Sequence, residues 1–345
     1  MISLEKSKKH SRLNKFSYIY IEKEALLYPL TAEILTRFPK SKIIEIDRYQ
    51  EIFNRSKQNW RESKEVQKLI LAVKKDKFLH TKSDVIQGGA NDRFFYTTPI
   101  LNCTFDCDYC FLQGMYNSPH AVIFVNVEDF FLAATAELKN GPMILSPSYE
   151  TDLLGFEGIA PITREWLGFA KEHPNLSLEI RTKSSAYRSI DDIKPIPNVI
   201  LAWTISPDDI AKKYEKGTSS TKARIEALNA ALHDGWQVRL CIDPILAVHN
   251  WEEVYAEFFK ELSSQIPLTK LYDIWVGTFR MNESFLKKIQ NSRSDSDILY
   301  YPFTKDKREP NVAMYPHEVR SKAIKLAHDI FLDSGVLKDK IVGWE

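Results

Sequence analysis

The stretch Phe94-Phe-Tyr-Thr-Thr-Pro-Ile100-Leu-Asn-Cys103-Thr-Phe-Asp-Cys107-Asp-Tyr-Cys110-Phe-Leu-Gln113 runs from an apolar, aromatic segment straight into three cysteines spaced C-x3-C-x2-C. Its first part, Phe94 to Ile100, predicts a strand, and the cysteines fall in the loop that follows. The chain has four cysteines, three of them here and the fourth, Cys241, alone. That spacing is no disulfide framework and points to a reducing compartment and a metal. Three thiolates leave a tetrahedral zinc one ligand short, and the next histidine is His120, so a closed zinc site is disfavoured. The same thiolates can hold three irons of a four-iron four-sulfur (4Fe-4S) cluster and leave the fourth open. S-adenosylmethionine (SAM) chelates such an iron through its amino and carboxylate groups. An electron from the cluster then cleaves the sulfonium to a 5′-deoxyadenosyl radical, chemistry that the cofactor supplies and the protein positions.

Beyond this stretch, short apolar strands alternate with amphipathic helices, the pattern of βα units around a parallel sheet. Strands are expected at Phe94–Ile100, Ala121–Val125, Met143–Ser146, Leu176–Thr182, Val199–Ile205, Gln237–Asp243 and Tyr272–Val276. Helices are expected at Val127–Lys139, Thr163–Lys171, Pro207–Tyr214, Thr221–Asp234 and Trp251–Leu262. Ser206 can cap the helix that Pro207 opens, and Gly235 can end the Thr221 helix. Six or seven units favour a partial TIM-type, (βα)6-like barrel over an open doubly wound sheet, and no glycine-rich phosphate loop follows the first strand. In such a barrel, chemistry collects at the C-terminal ends of the strands. Those ends carry Ser146 to Asp152, Lys183, Thr204, Ser206 and Asp243.

Before the barrel lies a small α/β unit, with strands at Tyr18–Glu22 and Lys42–Ile46 and a helix at Tyr28–Phe38. Arg48 to Lys77 reads as a charged helix or linker, and residues 82–92 as a loop. The expected division is residues 1–81, an α/β unit with its linker, 82–285, the barrel, and 286–345, a loop and helix packed on it. The composition is that of a globular chain: 345 residues, 44% hydrophobic, 27% charged, with a net charge of +1. That balance makes no strong polyanion-attracting field. No stretch is apolar enough to span a membrane, and the basic N-terminus lacks the apolar core of a secretory signal. A cytoplasmic protein without a membrane partner is expected.

The cysteine loop, ending Asp108-Tyr-Cys-Phe-Leu-Gln113, resembles that of spore photoproduct lyases. The likeness extends through Thr151-Asp-Leu-Leu-Gly155, Arg181-Thr-Lys183, Trp203-Thr-Ile-Ser206, Glu215-Lys-Gly-Thr-Ser-Ser220, Arg224-Ile-Glu-Ala227 and Asp243-Pro-Ile245, covering residues 16 to 285. The resemblance implies a radical SAM barrel and direct reversal of a thymine dimer in DNA. The radical removes a hydrogen from the lesion, the cross-link fragments, and a hydrogen returns through a cysteine thiol. Carried over by position, Cys103, Cys107 and Cys110 hold the cluster, and Tyr109, Thr151, Lys183 and Thr204 line the SAM site. An electron donor such as a flavodoxin or ferredoxin is implied.

Two positions depart from the family. Tyr149 stands where the donor cysteine is found, and Phe111 where a relay tyrosine follows the third cluster cysteine. Two residues offer a replacement hydrogen donor: Tyr149 itself, and Cys241, which period-2 alternation puts on one strand face with Asp243. At the C-terminal end, Lys305, Lys307 and Arg308 beside Tyr300, Tyr301 and Phe303 form a candidate DNA contact. Three readings stand at this point: repair of a thymine photoproduct with an altered hydrogen return, radical SAM chemistry on a different substrate, and nucleic-acid binding with a structural cluster. The single histidines His120 and His249 are expected to be surface or hydrogen-bonded groups.

Overall fold

The computed structural model describes residues 16–56, 58–81, 93–305 and 309–344, so the loop expected at 82–92 lies outside the described residues. Leu69-Ile-Leu-Ala72 follows a charged helical turn, and an unbroken apolar run of this kind suits a strand covered on both faces. All four residues are buried, and they form the middle of a five-stranded sheet. Its order is Lys42–Ile46, Tyr18–Glu22, Leu69–Ala72, Ala121–Phe124 and Ile100–Leu101; only the last pairing is antiparallel.

Two expectations change here. The segment expected as a charged helix holds only the short helices Gln50–Phe53 and Trp60–Glu65 before the buried strand. Ala121–Phe124, expected in the barrel, pairs with Leu69–Ala72 instead. Both are apolar throughout, and a strand buried on both faces carries no periodicity to say which sheet will cover it.

The second sheet is the barrel. Strands β1 (Phe94–Tyr96), β2 (Met143–Ser146), β3 (Leu176–Thr182), β4 (Val199–Thr204), β5 (Gln237–Ile245) and β6 (Asp273–Thr278) run parallel in chain order. A further strand, β7 (Ile341–Trp344), adds in parallel to β6, and His80–Thr81 pairs antiparallel to β1. Helices α1 (Val127–Leu138), α2 (Ile162–Glu172), α3 (Thr221–Asp234), α4 (Trp251–Gln265), α5 (Glu283–Ser292) and α6 (His317–Asp333) accompany them. The expected first strand is cut short at Tyr96, and Ile100–Leu101 joins the other sheet. Pro99 between them lacks the N–H that a continuous ladder needs.

Local signals place α3 as expected. Ser220 Oγ accepts from Ala223 N (3.3 Å), and Gly235 ends the helix at φ +98°, the left-handed cap that glycine adopts without a Cβ penalty. Ser206 does not cap the helix after Pro207; its hydroxyl donates to Glu215 Oε1 (3.0 Å).

One strand face is charged. Glu179, Arg181 and Lys183 occupy every second position of β3 and its end, as do Arg239, Cys241 and Asp243 on β5. The Arg239 guanidinium is bidentate to Asp273 (2.6 Å twice), donates to Glu179 and stacks on Trp275 at 3.7 Å. These groups sit inside the sheet's curve, where paired charges replace part of the apolar filling.

Candidate active site

The cysteine loop is held from several sides. Lys64 and Gln67 both donate to the Cys103 carbonyl, and Asn102, at φ +64°, ties its side-chain amide to the Ser118 and His120 carbonyls (2.8 Å each). Asp106–Cys107 pairs antiparallel with Glu215–Lys216. From α5's end, the buried Arg293 donates to Asp108 (2.9 Å), Gln113 (2.5 Å) and Asp106. Loop residues thus have fixed partners within the protein itself.

Cys103, Cys107 and Cys110 are free thiols that line one cavity of about 500 Å³ at the C-terminal ends of the strands. Burial raises the pKa of all three, that of Cys103 to about 12. Among the described residues, no three His, Cys, Asp or Glu side chains converge closely enough for a single ion. Three thiols spread around one cavity instead suit ligands to three separate irons, and the donor set is the all-sulfur one such clusters take. The residues present fit a 4Fe-4S cluster.

Behind the cysteines, the four residues expected to line a SAM site come together. Tyr109, Thr151, Lys183 and Thr204 all line the cavity. Tyr109 donates its hydroxyl to Glu215, which is ion-paired with Arg224 (2.6 Å) and fully buried with it. Lys183 Nζ lies 5.4 Å above the Tyr109 ring. Burial works against the Lys183 charge, yet Cys107 and Glu215 carry its pKa above the ordinary lysine value. Thr151 Oγ1 donates to the Asn102 carbonyl (2.8 Å). Asp152 ties two strand ends together, accepting from Gly155 N (2.8 Å), Thr182 Oγ1 (2.7 Å) and Lys183 N (2.6 Å).

The cavity's other end is aromatic and basic. The Tyr149 ring lies 4.8 Å from that of Tyr96 and 5.5 Å from that of Phe111. No described residue hydrogen-bonds its hydroxyl, whose pKa burial raises. Arg280 donates to both oxygens of Asp243 (3.0 and 3.3 Å), and Arg181 lies 3.8 Å from the same carboxylate. Cys241 shares the strand face with Asp243, as alternation predicts, but it is fully buried and does not line the cavity. It packs with Ala202 and Trp275, one step deeper, and burial lifts its thiol pKa to about 12. Lys305 is ion-paired with Glu283 (2.7 Å); Lys307 and Arg308 lie outside the described residues.

The spore photoproduct lyase family model matches residues 15–299. The chain belongs to the spore photoproduct lyase family. It is a radical SAM enzyme, and its cofactors are a 4Fe-4S cluster and SAM. The spore photoproduct lyase of Bacillus subtilis (strain 168) is 26% identical over 267 residues, covering 74% of this chain and 75% of that protein. The lyase of Geobacillus sp. (strain Y412MC61) is 24% identical over 269 residues, with 74% and 75% covered. In fold, the chain resembles a spore photoproduct lyase variant solved with bound AdoMet and dinucleoside spore photoproduct. The TM-score is 0.80 at 18% identity, over 95% of this chain and 98% of that one. A spore photoproduct lyase complexed with dinucleoside spore photoproduct gives 0.80 at 19% identity, with the same coverage.

Among the residues that shape this lyase-family site, Tyr96, Glu150, Arg280 and Arg293 have weak sequence signals, whereas Glu215 and Arg224 stand in stretches that carry the resemblance. Glu150, Arg280 and Tyr96 line the cavity, while Arg224, Glu215 and Arg293 support it from behind. Charges at alternate positions of an otherwise apolar strand, as in Leu178-Glu-Ile-Arg-Thr-Lys183, are the one pattern that announces a polar interior. His120 proves to be a buried acceptor for Lys68 N (3.3 Å), and burial with Lys68 and Lys64 lowers its pKa to about 4. No described helix is long and apolar enough to cross a membrane.

Proposed function

We propose that the chain reverses a thymine photoproduct in DNA, with Tyr149 as the hydrogen donor in place of the family's cysteine. The observation that carries this reading is the Tyr149 hydroxyl, which stands in the cavity wall with no described hydrogen-bond partner. Cys103, Cys107 and Cys110 would hold the cluster, and Tyr109, Thr151, Lys183 and Thr204 would bind SAM, which together supply a carbon-centred radical when reduced by a donor such as a flavodoxin or ferredoxin. The protein's own work is to hold and shield. Glu215 fixes the Tyr109 phenol, Asp152 fixes the backbone of Lys183, and Tyr96 and Phe111 exclude water around Tyr149. Homolysis of the Tyr149 O–H bond gives its hydrogen atom to the thymine radical left after the cross-link breaks. The phenoxyl that remains returns to the phenol by taking one electron from the same reduced flavodoxin or ferredoxin and one proton from water once the product has left.

Tyr149 is preferred to Cys241 because it lines the cavity and Cys241 does not. The finding of a radical SAM enzyme sets aside the reading of a DNA-binding protein with a purely structural cluster. Chemistry on a different substrate remains the rival, favoured by Phe111 in the relay position and by Lys305 being engaged with Glu283. A cytoplasmic setting suits the unpaired cluster thiols.

The test is anaerobic turnover of a thymine-photoproduct dinucleotide, measuring 5′-deoxyadenosine and recovered thymine. Wild type is expected to form both. Tyr149→Phe is expected to keep SAM cleavage while losing reversal by about 100-fold or more, the scale on which removing a positioned acid or base group acts. SAM cleavage without reversal in the wild type selects the rival substrate.

A further inference from the structure

Glu150 sits between Tyr149 and Thr151, and the chemistry proposed above leaves it without a role. It is only 4% exposed, yet it lines the cavity. A buried carboxyl group needs compensation, because losing its water costs several kcal/mol. One partner is on hand: the Tyr116 hydroxyl donates to Glu150 Oε2. Tyr116 is itself braced by the Phe53 ring, edge-on at 5.0 Å. The other oxygen, Oε1, accepts no hydrogen bond among the described residues, and no described cation forms a salt bridge with Glu150. The nearby Lys74 ammonium donates to Thr98 Oγ1 (3.2 Å) and favours the Glu150 charge through space without a hydrogen bond to it.

Tyr96, Tyr149 and Phe111 line the same cavity, and the Tyr96 and Tyr149 hydroxyls stand close enough to Glu150 for its charge to oppose their ionisation. An open acceptor in a mostly buried place selects a ligand that brings a hydrogen-bond donor, since an acceptor brought there would leave two groups unpaired. The cavity also offers donors, the Tyr149 hydroxyl and the Arg280 guanidinium. An acceptor and donors together match the edge of a cyclic imide, which presents an N–H between two carbonyls. Thymine has that edge. Cytosine presents an acceptor nitrogen at the same place.

We infer that Glu150 is a specificity-determining residue that accepts the N3–H of a thymine ring of the lesion, with Tyr116 fixing the carboxylate for that contact. This rests on the lesion-repair reading above and names the group that reads the base. Tyr116 acts through Glu150 and is a positioning residue.

The test is equilibrium binding by the anaerobic holoenzyme without reductant, so that nothing turns over. Two probes are compared: the thymine-photoproduct dinucleotide and its N3-methylated form. For wild type, methylation is expected to weaken binding by at least about tenfold, the scale of a hydrogen bond to a charged group. In Glu150→Gln the penalty is expected to shrink to a few-fold, and in the double variant E150M/Y116F, which removes acceptor and orphaned phenol together, to vanish. Thermal unfolding checks that each variant is folded, and the two-probe comparison in wild type needs no variant at all. Tight wild-type binding of both probes overturns the inference and leaves the repair reading standing. A methylation penalty equally large in wild type and Glu150→Gln overturns it too, since the methyl group is then excluded by shape. If wild type binds neither probe, the inference falls together with the reading on which it rests.

Discussion

Two buried glutamates, Glu157 and Glu215, have pKa values shifted in opposite directions. Glu157 accepts from Thr163 N (2.8 Å) at the start of α2, with Arg164 Nε 3.8 Å away, and burial lifts its pKa from 4.5 to about 7. Burial also opposes the Glu215 charge, but Arg224 and Lys183 hold its pKa below the ordinary value. For Glu157 the folded state favours the protonated form. Its contribution is therefore fully present below the unfolded value of 4.5 and is lost as pH rises through about 7. Glu157→Gln keeps an acceptor for Thr163 N and has no charge to bury. Urea denaturation is expected to show the variant gaining on wild type between pH 4.5 and 8, by on the order of 3 kcal/mol at the upper end. An unchanged difference across that range would mean that Glu157 is solvated in the native state.

Among the elements, α5 connects the two ends of the site. It starts at Asn282, whose side chain caps it at Ser284 N (2.9 Å), and both Asn282 and Phe285 line the cavity. Its last turn delivers Arg293 to the cysteine loop. In between, Gly114 packs so closely that a Cβ there would lie 2.3 Å from Phe285 Cβ, and Lys288 donates to the Gly114 carbonyl (2.9 Å). Removing Arg293 leaves the nearly buried Asp108 without its main counter-charge, a loss of about 3 to 5 kcal/mol for a buried pair broken from one side. Arg293→Gln is therefore expected to lose iron to a chelator several times faster than wild type, read from the decay of cluster absorbance. Adding Asp108→Asn should recover part of the retention by neutralising the abandoned charge. Equal release rates in wild type and Arg293→Gln would show that the loop orders itself around the cluster alone.

For the whole molecule, the barrel interior is a ladder of charges. It runs from Asp273 through Arg239, Glu179 and Arg181 to Asp243 and Arg280 at the cavity. Its deep end is closed by Trp275, whose Nε1 donates to Asp273 (3.0 Å), and by the Trp344 ring of β7, 6.1 Å away. Arg239→Met would strand Asp273 in a poorly solvated place and leave Glu179 with Arg181 as its one counter-charge among the described residues. The expected loss is about 3 to 5 kcal/mol in chemical denaturation, far more than for breaking the exposed Lys23–Asp47 pair. A loss below about 1 kcal/mol would mean that water reaches the barrel floor.

Much of this molecule was legible in the chain alone. The C-x3-C-x2-C spacing, the six barrel strands, the Ser220 and Gly235 ends of α3, and the polar residues at strand ends follow from spacing, periodicity and local turn chemistry, which act over a few residues. What the chain did not reveal depends on partners far away in sequence. Leu69–Ala72 and Ala121–Phe124 are apolar on every side, so only sheet pairing could assign them to the first sheet. Arg293 reads as a charge at a helix end until it meets Asp106, 187 positions earlier. Ser206 looks like a cap until Glu215 takes its hydroxyl, and Cys241 looks available until Trp275 covers it. Sequence determined which groups could do the chemistry; the tertiary structure decided which of them reach the cavity, because burial and charge pairing are settled only when distant segments close around it.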